Sequence, residues 1–136
     1  MKRVPVFPPK FFHRLRVSNP KDLDAMITSS GTGNVSAALT LKFKKGHGLV
    51  VASWVGFGAA EVKAIGVVVE ISAAGKPVVK WTRVLCELPE SDEGGAPFWR
   101  QETFMFIEKF VKFFKLRELF EKHMPDPFAA SRDATP

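Results

Sequence analysis

The sequence predicts an α+β fold: a small, curled, mostly antiparallel β-barrel with a short N-terminal helix and a long C-terminal helix. Three observations carry this expectation. Between residues 39 and 88, apolar runs of period two follow one another, separated by glycine-bearing turns. Ahead of them, "SNPKDLDAMITSSG" holds the start and stop signals of one short helix. Behind them, "TFMFIEKFVKFFKLRELFEKHM" repeats phenylalanine at helical spacing. Four or five short strands are too few for an extended open sheet, so they are expected to curl, with helices covering the ends. A chain of 136 residues is long enough to bury one core without staples. Residues 1–124 are expected to form a single domain and residues 125–136 a mobile tail.

Each element has its own grounds. The three prolines of "VPVFPPK" forbid helix and make an extended lead-in. "FFHRLRV" (11–17) alternates in its second half and reads as a strand. In the helix that follows, Asn19 is the expected N-cap and Pro20 the first helical residue. Asp22 and Asp24 favour the positive end of the dipole, and Leu23, Met26 and Ile27 share one apolar face. Gly31 is expected to close that helix. Leu39, Leu41 and Phe43 alternate with Thr40, Lys42 and Lys44 as a half-buried strand. A Gly-His-Gly turn then leads to "LVVASW", apolar throughout and expected to be buried on both faces. "VKAIGVVVEI" is the strongest strand, with Ile65, Val67, Val69 and Ile71 on one side. Gly66 within it signals a bulge or a close approach by another group. "SAAGK" is a hairpin loop, and "PVVKWTRVLCEL" returns as the partner strand. In the last helix Phe106, Phe110, Phe113 and Phe120 form the expected apolar stripe. Glu108–Lys112 and Glu118–Lys122 are its i,i+4 pairs.

Charge is unevenly placed. Residues 1–85 carry 13 Lys/Arg against four Asp/Glu, a balance of +9, and residues 86–136 carry seven against ten, a balance of −3. A basic first part joined to an acidic last part points to a polyanionic partner, although solubility alone accounts for a net charge of this size as well. No apolar run approaches the ~20 residues a membrane helix needs. The prolines of "MKRVPVFPPKFF" break any signal-peptide core. A lone cysteine, Cys86, suits a reducing compartment, and a cytoplasmic protein is expected.

Catalytic chemistry finds little support. His13, His47 and His123 are far apart in sequence, and no spacing resembles a metal site. "GTGN", "GHG" and "GFG" complete neither a P-loop nor a dinucleotide fingerprint, so no cofactor and no metal is expected. Cys86 lies in an apolar strand-like run and reads as a structural thiol. Glu70 and Glu102 are the carboxylates available as a base, and neither has a partner group in the sequence.

The aromatic set says more. Most of the thirteen phenylalanines fit a core, whereas the three tryptophans sit at the ends of elements. Trp54 precedes a glycine-rich loop with Phe57 at its tip, Trp81 lies between Lys80 and Arg83, and Trp99 precedes Arg100. Taken singly, each fits edge packing. Taken together, aromatic faces edged by cations are what a base-stacking site requires.

The stretch from "LTLKFKKGHGLVVASW" through "AIGVVVEISAAGKPVVKW" resembles the PUA-like superfamily, and within it the EVE-type domains. The matching elements are Lys45-Gly46, the apolar strand 49–53, Ile65-Gly66-Val67-Val68 and Val79-Lys80-Trp81, within residues 39–83. His47 stands where that family usually has an acidic residue. The resemblance implies a pseudo-barrel that binds nucleic acid, in several members by enclosing a flipped, modified base in an aromatic pocket. On this reading Trp54, Phe57, Trp81 and Trp99 contact the base, and Lys44, Lys45, His47, Arg83 and Arg100 contact phosphate. The expected function is therefore a non-enzymatic nucleic-acid-binding module, with DNA or RNA as partner. The alternative is a small-ligand-binding or interaction domain that homodimerises through Phe106, Phe110, Phe113 and Phe120.

Overall fold

The computed structural model describes residues 5–17, 19–32, 42–56, 59–88 and 103–130, with residues 54–56, 59, 103 and 104 described in backbone only. The fold is α+β. Its strands are β1 (Phe12–Leu15), β2 (Gly48–Gly56), β3 (Ala59–Ile71), β4 (Pro77–Leu88) and a three-residue β5 (Thr103–Met105). Its helices are α1 (Pro20–Ser29), α2 (Glu108–Phe113) and α3 (Leu116–His123).

The strand order is β4-β3-β2-β1-β5. β2, β3 and β4 are antiparallel neighbours, as expected, but β1 runs parallel to β2, with Phe12 opposite Gly48 and Leu15 opposite Val51. The sheet is therefore mixed, because the chain between β1 and β2 crosses over through α1 and returns in the same direction. Among the described residues no pairing joins β4 to β5, so the ladder is open there and does not close into a barrel.

Two apolar layers sandwich the sheet. On one face Phe12, Val50, Val62, Ile65 and Val67 pack against Phe106, Phe110, Phe114, Leu116 and Phe120. On the other, Leu15, Leu49, Val51 and Val68 pack against Leu23 and Met26 of α1 and against Phe43. Burial on both faces explains why β2 reads as a continuous apolar run: Leu49, Val50, Val51 and Ala52 are all 0% exposed. β1 is likewise buried at all four positions, since β2 and β5 flank it.

α1 starts as expected, with the Asn19 side chain accepting from the Lys21 N–H at 2.9 Å. Its left-handed cap is Ser30 (φ 58°) rather than Gly31, whose N–H instead reaches the Met26 carbonyl at 3.2 Å. Half of the expected strand 39–44 lies outside the described residues, and its described half, Lys42, Phe43 and Lys44, is not strand.

The single long C-terminal helix is corrected. Residues 103–105 pair with β1 as β5, and the rest divides into α2 and α3 at Lys115, which is left-handed (φ 53°). A continuous helix would place Arg117 and Glu118 three and four residues beyond Phe114, on the buried face. The break at Lys115 re-phases the chain, so Leu116 and Phe120 enter the core at 0% exposure. Glu108 consequently pairs with Arg117. Phe128, in the segment expected as a tail, packs into the core at 4% exposure.

Candidate nucleic-acid interface

The Gly-His-Gly turn sits where β1 and β2 begin. The His47 N–H donates to the Lys44 carbonyl at 2.9 Å. The Gly46 N–H donates to the Val68 carbonyl at 2.7 Å, and the Val68 N–H to the His47 carbonyl at 3.0 Å, so β3 pins the turn. Gly46 is required here: its φ is +93°, and a Cβ would lie 2.6 Å from Cβ of Pro5. Lys42, Lys44 and Lys45 are exposed around it.

His47 meets a second histidine. Its Nδ1 lies 2.9 Å from Nε2 of His13 on β1, so one nitrogen carries the shared proton and the other accepts it. The ring centroids are 5.1 Å apart and the planes differ by 28°. That separation is what two imidazoles aligned nitrogen to nitrogen give, so they meet head to head. The Phe43 ring packs on His13 at 4.7 Å between centroids and the Phe11 ring on His47 at 5.4 Å. Phe11 is 50% exposed. Burial, then the His47 ring and then Lys42, push His13 down to about 4, and burial with Lys44 lowers His47. Both rings are thus neutral at pH 7, which lets two basic side chains share one hydrogen bond beside three lysines.

Of the residues expected to bind, Lys44, Lys45 and His47 are together on this turn. Trp81 and Arg83 are elsewhere. Trp81 lies in the cross-strand row His13–Leu49–Gly66–Trp81, three strands from His13 and so ~15 Å away. Its indole N–H donates to the Gly31 carbonyl at 3.0 Å, and its ring covers Gly66. Trp81 thereby fastens the end of α1 to β4. Arg83 is exposed and ion-paired with Asp24 of α1. Its guanidinium borders an open groove of about 450 Å³ lined by Val17, Pro20, Leu23, Glu61, Lys63 and Leu85 among others. Glu61 and Asp24 offset Lys63 and Arg83 there, so this groove has no net attraction for a polyanion. The backbone of Trp54 pairs with Ala60 in the β2–β3 ladder, and its side chain is not described. Phe57, Trp99, Arg100 and Glu102 lie outside the described residues.

Sequence reasoning missed Phe11, His13 and Phe43. The alternation of "FFHRLRV" places His13 opposite Phe12, but nothing local reveals a parallel register that brings it to His47 across 34 residues. Among the described residues no three His, Cys, Asp or Glu side chains converge, and Glu70 is exposed. Cys86 is partly buried against the core, and burial raises its thiol pKa. No described helix is long and apolar enough to cross a membrane. No family model, curated protein or solved structure matches the chain.

Proposed function

We propose that this protein is a non-enzymatic nucleic-acid-binding module whose contact surface is the Gly-His-Gly turn. One observation carries the reading: a half-exposed aromatic ring, Phe11, rests on His47 on a turn bearing exposed Lys42, Lys44 and Lys45. An aromatic face offers any base a stacking surface, and the flanking cations hold the phosphates on either side. The two neutral imidazoles add hydrogen-bonding capacity without repelling the lysines.

The PUA-like reading extends this surface. On that reading the sheet would belong to a pseudo-barrel. Trp54, Phe57 and Trp99, with Arg100, would then wall a pocket for a flipped or modified base in a cytoplasmic protein. The dimer reading has less support. Phe106, Phe110 and Phe120 are 3%, 7% and 0% exposed within this chain's own core, which leaves Phe113, at 46%, as the exposed member of the stripe.

The test is fluorescence anisotropy with short single- and double-stranded DNA and RNA. Three lysines at roughly 0.7 counterions per single-strand phosphate predict about 20-fold weaker binding between about 50 mM and about 200 mM salt. Phe11→Ala should weaken binding by roughly tenfold or more, the loss of one stacked base. A flat salt response, or full binding by the Lys44→Ala/Lys45→Ala double variant, would overturn the proposal.

A further inference from the structure

We infer that the His13–His47 pair is a phosphate-contacting proton acceptor: on binding a phosphodiester at the turn, the pair takes up one proton, and His47 presents it to the ligand. The inference rests on the function proposed above and names the group that would meet the phosphate.

The geometry carries it. Two imidazoles joined head to head share a single proton between Nδ1 of His47 and Nε2 of His13. The pair accepts one further proton without losing that bond. His47 becomes the imidazolium and donates its Nδ1–H to the lone pair of neutral His13, while its far nitrogen, Nε2, carries a second N–H. A second added proton would set two N–H groups against each other at 2.9 Å, so uptake stops at one. Position decides which ring is charged. His13 is 3% exposed beneath Phe43, whereas His47 is half-buried on the turn that carries Lys44 and Lys45. Burial first, and then the cationic charges bearing on the pair, Lys42 on His13 and Lys44 on His47, keep it neutral in the free protein. A bound phosphodiester supplies the opposing negative charge, and the proton follows it from solvent. The turn then holds the anion with two lysines and one charge-assisted N–H.

The probe is an oligothymidylate without a terminal phosphate, which does not itself titrate near neutral pH. Its affinity should rise several-fold, by at most about tenfold, from about pH 8 to about pH 5.5, as a one-unit upward shift in the pair requires. Calorimetry near pH 6.5 in two buffers of different ionisation enthalpy should show uptake of up to about half a proton per site, the most a one-unit shift allows. His47→Gln should bind with no pH dependence. His13→Phe, folded as judged by its amide spectrum, should lose most of the uptake because the accepting lone pair is gone. Oligothymidylate binding that is salt-sensitive but pH-independent, with no proton uptake, would overturn this inference and leave the proposed function standing. Absence of binding at both pH values, with DNA and RNA alike, would overturn both.

Discussion

Trp81 lies against Gly66 across the β3–β4 ladder so closely that a Cβ on Gly66 would be 2.6 Å from Cε3 of the indole and 2.6 Å from Cγ1 of Val79. The ring cannot step aside cheaply, because its N–H is bonded to the Gly31 carbonyl at the end of α1.

Gly66→Ala should therefore destabilise the protein by about 2–3 kcal/mol, the upper range for overpacking a core. Urea denaturation followed by tryptophan emission measures this. Trp81→Leu, itself destabilising, should recover about 1 kcal/mol of the alanine penalty in the double variant, since the two sites share the same space. Strictly additive losses would mean that the ring is not what the methyl meets.

Stability should fall as the solution is acidified through the histidine range. His13 has a folded pKa of about 4 against an ordinary value of 6.5. Between these values the unfolded chain binds the extra proton and the folded one does not. The stabilisation is complete above pH 6.5 and is lost as pH falls toward 4, at ~1.4 kcal/mol per pH unit. His13→Phe removes the titrating group and should flatten that slope in denaturation midpoints taken across the window. An unchanged slope would place the acid sensitivity elsewhere.

Lys115→Gly should stabilise the protein by about 0.5–1 kcal/mol, because a lysine at φ 53° occupies the left-handed region that glycine adopts freely. The sign is the test. Were residues 103–124 one continuous helix, glycine at its centre would cost about 1 kcal/mol instead. Thermal unfolding of the two proteins separates these outcomes.

These contrasts show what the sequence could reveal. α1 was legible because its signals are local: Asn19 caps, Pro20 enters, and Leu23 and Met26 turn inward. β4 is legible from Pro77 to Leu88, and of the two readings of Gly66, a bulge or a close approach, the structure shows the close approach, though the sequence does not name Trp81 as its neighbour. The split at Lys115 was hidden because helical spacing continues through Phe110, Phe113 and Phe120 in the sequence. Only the competition of Arg117 and Glu118 for the buried face decides against a single helix. The site was half legible. Lys44, Lys45 and His47 are consecutive on one turn apart from Gly46, so their proximity is covalent. Phe11 and His13 reach them through a parallel pairing, whose register depends on the whole sheet. Parallel strands with long crossovers leave no short-range mark.

Arg117 of α3 secures the approach to that site. Its Nη2 donates to the Lys10 carbonyl at 3.1 Å and its Nε to the Pro9 carbonyl at 3.4 Å, while Nη1 and Nη2 hold the Glu108 carboxylate at 2.7 and 2.9 Å. The guanidinium fork thus joins α2 and α3 to the residues that lead into Phe11. Arg117→Ala should cost about 1–2 kcal/mol, since two carbonyls and a carboxylate lose their donor. Arg117→Lys should recover less than half, because a point charge cannot serve three acceptors in one plane. Glu108→Gln should cost far less than Arg117→Ala, as expected for an exposed pair. The Gly48 amide provides a local reporter, because it donates to the Phe11 carbonyl at 2.9 Å. Its hydrogen exchange should accelerate in Arg117→Ala by more than the global loss of stability explains. Equal acceleration of the Gly48 amide and of the amides in β3 would show instead that Arg117 supports the fold as a whole and not the segment that presents Phe11.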